Sequence, residues 1–241
     1  MKPKNQALDV WGDFACFTQP AFKVERFSYP VITPSAARGV FDAIYCKPKE
    51  FRWQVTRVEI FSPPAFIALK RNEVKEKIPL NSVFRWMEGR EAPAPIFADA
   101  DKALTGSDVK GRTQRQTMAL KNVKYRLHAE IRPWPGFESK LQALEGQFRR
   151  RAAQGKCIYQ PYFGCREFPA YFELAPVDGP GPTPVKLDID VGWMLYDVFD
   201  LSRPGSDEDA PAVSLFRAKV RDGVMDVPDF AGPDVFHPER G

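Results

Sequence analysis

Apolar and polar residues alternate along LDVWGDFACF, Leu8 to Phe17. Leu8, Val10, Phe14 and Cys16 fall on one side, and Asp9, Trp11, Asp13 and Phe17 on the other, as in a half-buried strand. Gly12 inside that strand predicts a bulge or a close backbone approach. The period then changes. Ala37, Val40, Phe41 and Ile44 recur at helical spacing, Thr33 is placed to cap them, and Pro34 fits the first helical position. Pro48 stops the helix. Arg38, Asp42 and Tyr45 share a neighbouring face, so Tyr45 is expected in the last turn, beside the core rather than in it.

FRWQVTRVEI reads as a second strand, with Phe51, Trp53 and Val55 in phase, a break at Arg57, and recovery at Val58 and Ile60, which predicts a bulge. From Ser62 to about Thr117 the pattern is mixed. FIALKRNEV fits a strand and SVFRWMEGR a short helix, and the whole reads as a long insertion. LKNVKYRLHAEIRPW is the clearest strand. Val123, Tyr125, Leu127, Ala129 and Ile131 face one way, and Asn122, Lys124, Arg126, His128, Glu130 and Arg132 the other. A helix follows, with Leu141, Leu144, Phe148 and Ala152 inward and Gly155 at its end. Phe168, Ala170, Phe172 and Leu174 mark a further strand.

This order, βαβ, insertion, βαβ, predicts an α+β fold: a ferredoxin-like (RRM-like) βαββαβ domain. Both helices would then cover one sheet face and leave the other available. VDGPGPTPV reads as a linker. Beyond it GWMLYDVFD, AVSLFRAKV and VMDV predict a small antiparallel sheet, with a turn at Arg221-Asp222-Gly223. The expected domains are residues 1–178 and 186–241.

Composition narrows the function. Of 241 residues 44% are hydrophobic, and 35 Lys and Arg against 31 Asp and Glu leave a formal charge of +4. The distribution says more than the total: Arg112, Arg115, Lys121, Lys124, Arg126 and Arg132 crowd one segment against Glu130 alone. Cys16, Cys46, Cys157 and Cys165 have no CxxC spacing, and the two histidines, His128 and His237, stand apart. A zinc site is therefore not expected, and the cysteines read as free thiols in a reducing cytoplasm. There is no apolar run of transmembrane length, so no membrane partner is expected. The P-loop, GxSxG, HExxH and Rossmann patterns are all missing. What remains is the basic segment GRTQRQTMALKNVKYRLH with Trp53, Tyr125 and Trp134 interleaved, a composition suited to phosphates and stacked bases of single-stranded RNA. The same residues also fit a solvated strand face, and Tyr45 also fits a surface tyrosine closing a helix.

Four blocks in colinear order, VWGDFACFTQP, YPVITPSAARGVFDAIYCKPKEFRW, RTQRQTMALKNVKYRLHAEI and QPYFGCREFPAYFE, resemble the Cas-five family of CRISPR-associated proteins in its type I-C (Dvulg) branch. The resemblance implies membership of the RAMP superfamily and cleavage of precursor CRISPR RNA within the repeat. It implies retention of the mature CRISPR RNA by its 5′ handle, and other Cascade subunits as partners. It leaves duplex DNA open as a further partner. It implies no cofactor and metal-independent chemistry: 2′-oxygen attack leaving a 2′,3′-cyclic phosphate. Its proposed active site is a tyrosine at the end of the first helix, matched by Tyr45, and a lysine beside a histidine. Lys121 matches the lysine, Asn122 stands in the histidine's place, and His128 is the nearby imidazole. Arg38, Arg112, Arg115, Lys124, Arg126 and Trp53 are the expected RNA contacts. The alternatives are a non-catalytic CRISPR-RNA-binding scaffold and a general single-strand binder.

Overall fold

A computed structural model describes residues 2–22, 24–75, 78–94, 100–106, 111–176, 181–206 and 209–237. Its strands in chain order are β1 (Asn5–Ala15), β2 (Arg26–Phe27), β3 (Phe51–Ile60), β4 (Phe66–Val74), β5 (Arg112–Pro133), β6 (Tyr171–Leu174), β7 (Ile189–Asp197), β8 (Ser214–Val220), β9 (Val224–Asp226) and β10 (Val235–Phe236). The α-helices are α1 (Pro34–Ile44), α2 (Leu80–Met87), α3 (Lys102–Thr105) and α4 (Leu141–Ala153). No helix among the described residues is long and apolar enough to cross a membrane.

The strands form a large seven-stranded sheet, ordered β6-β1-β5-β3-β9 with β2 and β4 also on β5, and a three-stranded sheet ordered β10-β8-β7. All pairings are antiparallel except β2 with β5. β5 organises the large sheet. Its C-terminal half lies between β1 and β3, while its N-terminal half pairs with β4 in a hairpin that carries the insertion. Asn122, at φ 53, marks the exchange of partners between the two halves.

Local sequence accounts for much of this. The Thr33 side chain accepts a hydrogen bond from Ala36 N–H, and Pro34 opens α1, as the cap preference requires. The predicted break in β3 is a register shift between Val55 and Arg57. Gly12 is a close approach: a Cβ there would stand 2.8 Å from the Pro169 carbonyl oxygen and 3.0 Å from the Phe163 ring. α1 and α4 pack on the same side of the sheet, against β3, β5 and β6 and against each other. The main core fills the space beneath them with Leu8, Val10, Phe41, Ile44, Trp53, Leu127 and Phe148. Cys16 and Cys165 are free and buried in a second cluster with Ala119 and Phe168.

Two expectations need correction. VMDV does not join the small sheet: its strand, β9, pairs with β3 in the large one. The cause is the turn at Arg221–Gly223, which is seated on the incoming chain. Gly223 accepts from Ile60 N–H at 2.8 Å and donates to Leu187 at 2.9 Å, and its φ of +75° places it 2.2 Å, measured from a notional Cβ, from the Val185 oxygen. The second correction concerns the face opposite the helices, which is only partly open. The returning chain donates from Val185 N–H to Ile60 at 2.9 Å, and Gly181 sits against the Arg126 guanidinium. Asp9, Arg126 and His128 on that face are buried. The predicted linker's residues 177–180 lie outside the described residues.

Candidate active site and nucleic-acid interface

Tyr45 closes α1. It leaves the helix in an extended conformation (φ −151, ψ 112), and its N–H still donates to Phe41. Its carbonyl accepts from the Trp53 indole at 2.9 Å, and its ring packs on Phe51 at 5.5 Å. Only 7% of the residue is exposed, so Tyr45 belongs to the core's edge rather than to the neighbouring surface. The chain then turns sharply, because the Lys47 carbonyl accepts from Glu50 N–H at 2.8 Å and from Phe51 N–H at 3.0 Å. Trp134 closes the turn from outside, its indole donating to Pro48 at 2.8 Å.

The turn returns charge to the tyrosine. Lys47 Nζ lies 3.2 Å from one Glu50 oxygen and Lys140 Nζ 3.6 Å from the other. Arg151 Nε donates to the last helical carbonyl, Ile44, at 2.7 Å. Burial pushes the Tyr45 hydroxyl above its ordinary pKa, against the opposing pull of the Lys47 charge. Tyr45 is therefore a neutral phenol at physiological pH, with an O–H able to donate a hydrogen bond.

The other expected site residues are dispersed. Lys121 is exposed on β5 beside Asn122, its N–H held by Ala65. Phe51, on which Tyr45 packs, pairs with Pro133 at the far end of the same strand. At the ~3.3 Å rise of a strand, Lys121 is up to roughly 40 Å away from that end. His128 is not the surface residue its polar strand face predicts. It is 5% exposed, its Nδ1 takes the Asn5 amide at 2.9 Å, and its Nε2 faces Glu59 at 3.3 Å. Burial lowers its pKa, and Glu59 opposes the shift. It lies opposite Arg57 on the polar sheet face, whereas Tyr45 lies on the helix side. Tyr45, Lys121 and His128 do not form one cluster.

The expected RNA contacts divide by what they touch. Trp53 is 1% exposed and enclosed by Phe41 and Phe148 at 4.8 and 4.7 Å, so neither ring face is open to a base. Arg38 gives two hydrogen bonds to Asp197, at 2.7 and 3.0 Å, and one to Asp42 at 2.5 Å. Arg126 is buried in a two-point pair with Asp9 at 2.6 and 2.8 Å. Both guanidiniums are committed to carboxylates. Arg112 and Lys124 are exposed and Arg115 is half-buried. Arg112 and Arg115 lie across the hairpin from Val74 and Arg71.

Lys124 brings in residues that the sequence reading missed. It pairs with Trp11 across β1, and Trp11 pairs with Tyr171 of β6. The Trp11 and Tyr171 rings stack at 6.3 Å and are 37% and 50% exposed. Trp11, Asn122 and Lys124 line one cleft of about 480 Å³. An aromatic pair beside a free ammonium is a platform for a stacked base. Strand register creates it, and the only sequence signal is that Trp11 alternates out of phase with the core residues of β1. Among the described residues, no three His, Cys, Asp or Glu side chains converge as metal ligands.

Comparison with known proteins gives a consistent result. A family model described as CRISPR-associated protein (Cas_Cas5), of Cas5d type, matches residues 7–228. The protein named CRISPR pre-crRNA endoribonuclease Cas5d of Mannheimia succiniciproducens is 36% identical over 95% of this chain and 96% of its own. The protein of the same name from Thermus thermophilus is 36% identical over 97% and 96%. Among solved structures, a CRISPR-associated protein matches with a TM-score of 0.62 at 17% identity over 98% of both chains. A functionally uncharacterized protein of Streptococcus mutans matches with a TM-score of 0.59 at 18% identity over 97% of both. At such identities these two structures speak for the fold.

Proposed function

Because this chain belongs to the Cas5 family of CRISPR-associated proteins and matches its Cas5d members over nearly its full length, we propose that it is an endoribonuclease. It cuts precursor CRISPR RNA within the repeat and stays on the 5′ handle as a subunit of a type I-C Cascade complex. The observation that carries this reading is the 36% identity, along almost the whole chain, to two proteins named for that activity. The strand order β6-β1-β5-β3, with α1 and α4 on one side, supports reading the large sheet as a ferredoxin-like unit with the segment from β4 to α3 as its insertion.

The chemistry is 2′-oxygen attack on the adjacent phosphorus, with cleavage of the bond to the 5′-oxygen. The 2′-hydroxyl loses its proton and the 5′-oxygen gains one, leaving a 2′,3′-cyclic phosphate and a 5′-hydroxyl. The buried, neutral Tyr45 supports a donor role, placing its O–H against the reacting phosphate as charge develops there. Lys124 with Trp11 and Tyr171, and Arg112 and Arg115 on the hairpin, are the groups free to hold the flanking RNA.

A second reading, the non-catalytic scaffold, is favoured by the dispersal of Tyr45, Lys121 and His128. Incubating purified protein with end-labelled repeat RNA in EDTA separates the two. One discrete cut, with a product end resistant to phosphatase until the cyclic ester is opened, supports the enzyme. Tight binding without a cut supports the scaffold, and a cut that appears only with added divalent cation removes the metal-independent chemistry.

A further inference from the structure

The stacked pair of Trp11 and Tyr171 borders a cleft whose polar lining suits a base edge better than a phosphate. We propose that this cleft takes one unpaired guanine of the bound RNA, stacked on Trp11 and read along its edge by Asp13 and Glu173. The proposal rests on the reading of this chain as a protein that holds CRISPR RNA, and adds a base-specific subsite to it.

Strand register places the parts. Tyr171, Trp11 and Lys124 form one row across β6, β1 and β5. The two rings are inclined by only 28°, so they make a flat surface rather than a cage. Glu173 stands two residues along β6 from Tyr171 and so on the same face. On the other side of the row, Asp13 and Asn122 stand between the pairs Gly12–Val123 and Phe14–Lys121, where β5 exchanges partners. Two residues along a strand span about 6.6 Å, close to the distance from the centre of a stacked base to an acceptor bonded at its edge. Asp13, Ser62, Asn122, Lys124 and Glu173 line the cleft together with Trp11. The returning chain covers Arg126 in the next row, while Trp11 stays exposed.

Charge decides what fits. Two carboxylates stand against one ammonium in the cleft, and Asp13, Glu173 and Lys124 form no ion pair among the described residues. That lining repels a phosphate more than it attracts one. A carboxylate only accepts hydrogen bonds, so it selects a base edge rich in donors. Guanine offers its N1–H and its N2 amino group side by side, which matches both oxygens of one carboxylate. Its O6 and N7 accept from an ammonium, the role that falls to Lys124. Cytosine and adenine offer one amino group each. Uracil offers a single N3–H between two carbonyl oxygens, which a carboxylate repels. The other occupant suited to rings beside carboxylates is a basic side chain of a protein partner, and Lys124, in the same row, opposes it.

The test is fluorescence anisotropy at constant salt with short labelled oligouridines, either plain or with one central guanosine, adenosine or cytidine. Wild-type protein is expected to bind the guanosine strand roughly tenfold more tightly than plain oligouridine, since one good bidentate base contact is worth about 5–150-fold. Trp11→Ala should weaken the guanosine strand by about 5-fold or more through lost stacking. Asp13→Asn combined with Glu173→Gln should abolish the preference for guanosine while oligouridine still binds. Melting temperatures control for folding, and Tyr171→Ala, at the more exposed ring, repeats the stacking test if Trp11→Ala unfolds early. Equal binding of the guanosine and plain strands by wild type would overturn the proposal, as would a preference for adenosine or cytidine. A guanosine preference that survives both the ring and the carboxylate variants would also overturn it, by placing the base reading elsewhere. Protein that binds neither these strands nor repeat RNA would remove the RNA-binding reading itself, and this inference with it.

Discussion

Replacing Trp53 with Ala distinguishes a core residue from an RNA contact. The ring is 1% exposed and packed on three aromatic neighbours. Deleting a buried Trp or Phe side chain costs about 3–5 kcal/mol through lost transfer energy and the cavity left behind. The indole N–H also satisfies the Tyr45 carbonyl at 2.9 Å, and leaving that acceptor buried and unpaired adds about 1–3 kcal/mol. The sum, about 4–6 kcal/mol with some overlap, is a large share of the ~5–15 kcal/mol that holds a domain together. For a chain of this size each kcal/mol shifts Tm by about 2–4 °C, so Trp53→Ala should melt roughly 10–20 °C below wild type. Trp53→Phe keeps most of the ring and loses the donor, so its shift should be only a few degrees. Thermal melts followed by circular dichroism measure both, with RNA affinity taken at a temperature where the variants remain folded. A Trp53→Ala protein that melts within about 2 °C of wild type but loses RNA affinity tenfold would refute the reasoning and place the ring at the interface.

The committed and free charges should behave differently. Asp9→Ala strands the buried Arg126 guanidinium and should cost about 3–5 kcal/mol in urea unfolding, whereas Arg112→Ala should change stability by less than about 0.5 kcal/mol. In RNA binding the order reverses: each of Arg112, Arg115 and Lys124 that contacts a phosphate should contribute about 0.7 to the log–log salt slope. An unchanged slope in the triple Ala variant would remove that surface from the interface. His128 gives a pH signature. Burial depresses its folded-state pKa below 6.5, so the unfolded chain binds the proton more readily. The neutral buried imidazole is fully tolerated above pH 6.5, and stability falls as pH drops from 6.5 toward the folded-state value. Melting temperatures between pH 8 and 5.5 should therefore decline more for wild type than for His128→Gln, and parallel curves would contradict the assignment.

Some of this architecture is written locally and some is not. α1 is legible because the Thr33 cap, the opening Pro34 and a stripe at helical spacing all agree within one short segment. The β3 bulge is legible as a slip in alternation. The fate of the charges is not, because alternation assigns a face to Arg126 but says nothing of what covers that face. Its partner Asp9 lies more than a hundred positions away, and so does the Asp197 that holds Arg38. Trp53 misleads for the same reason: it stands beside Arg52 in the chain, yet its alternate-residue neighbours Phe51 and Val55 already mark it as core. The Trp11–Tyr171–Lys124 platform exists only once β1, β5 and β6 are in register. Tyr45 is marked by resemblance at the end of a legible helix, but its burial against Phe51 comes from a turn whose hydrogen bonds no periodicity encodes.

The most direct measurement is the single-turnover rate at which saturating protein cuts repeat RNA in EDTA, wild type against Tyr45→Phe. The substitution removes one oxygen and keeps the ring on Phe51, so folding and RNA affinity should be nearly unchanged. A positioned donor at the reacting phosphate is worth ~10²–10⁴ in rate, so the variant should cut at least roughly a hundredfold more slowly. Cleavage by Tyr45→Phe at the wild-type rate would contradict the account and leave Tyr45 as the tyrosine that caps a helix.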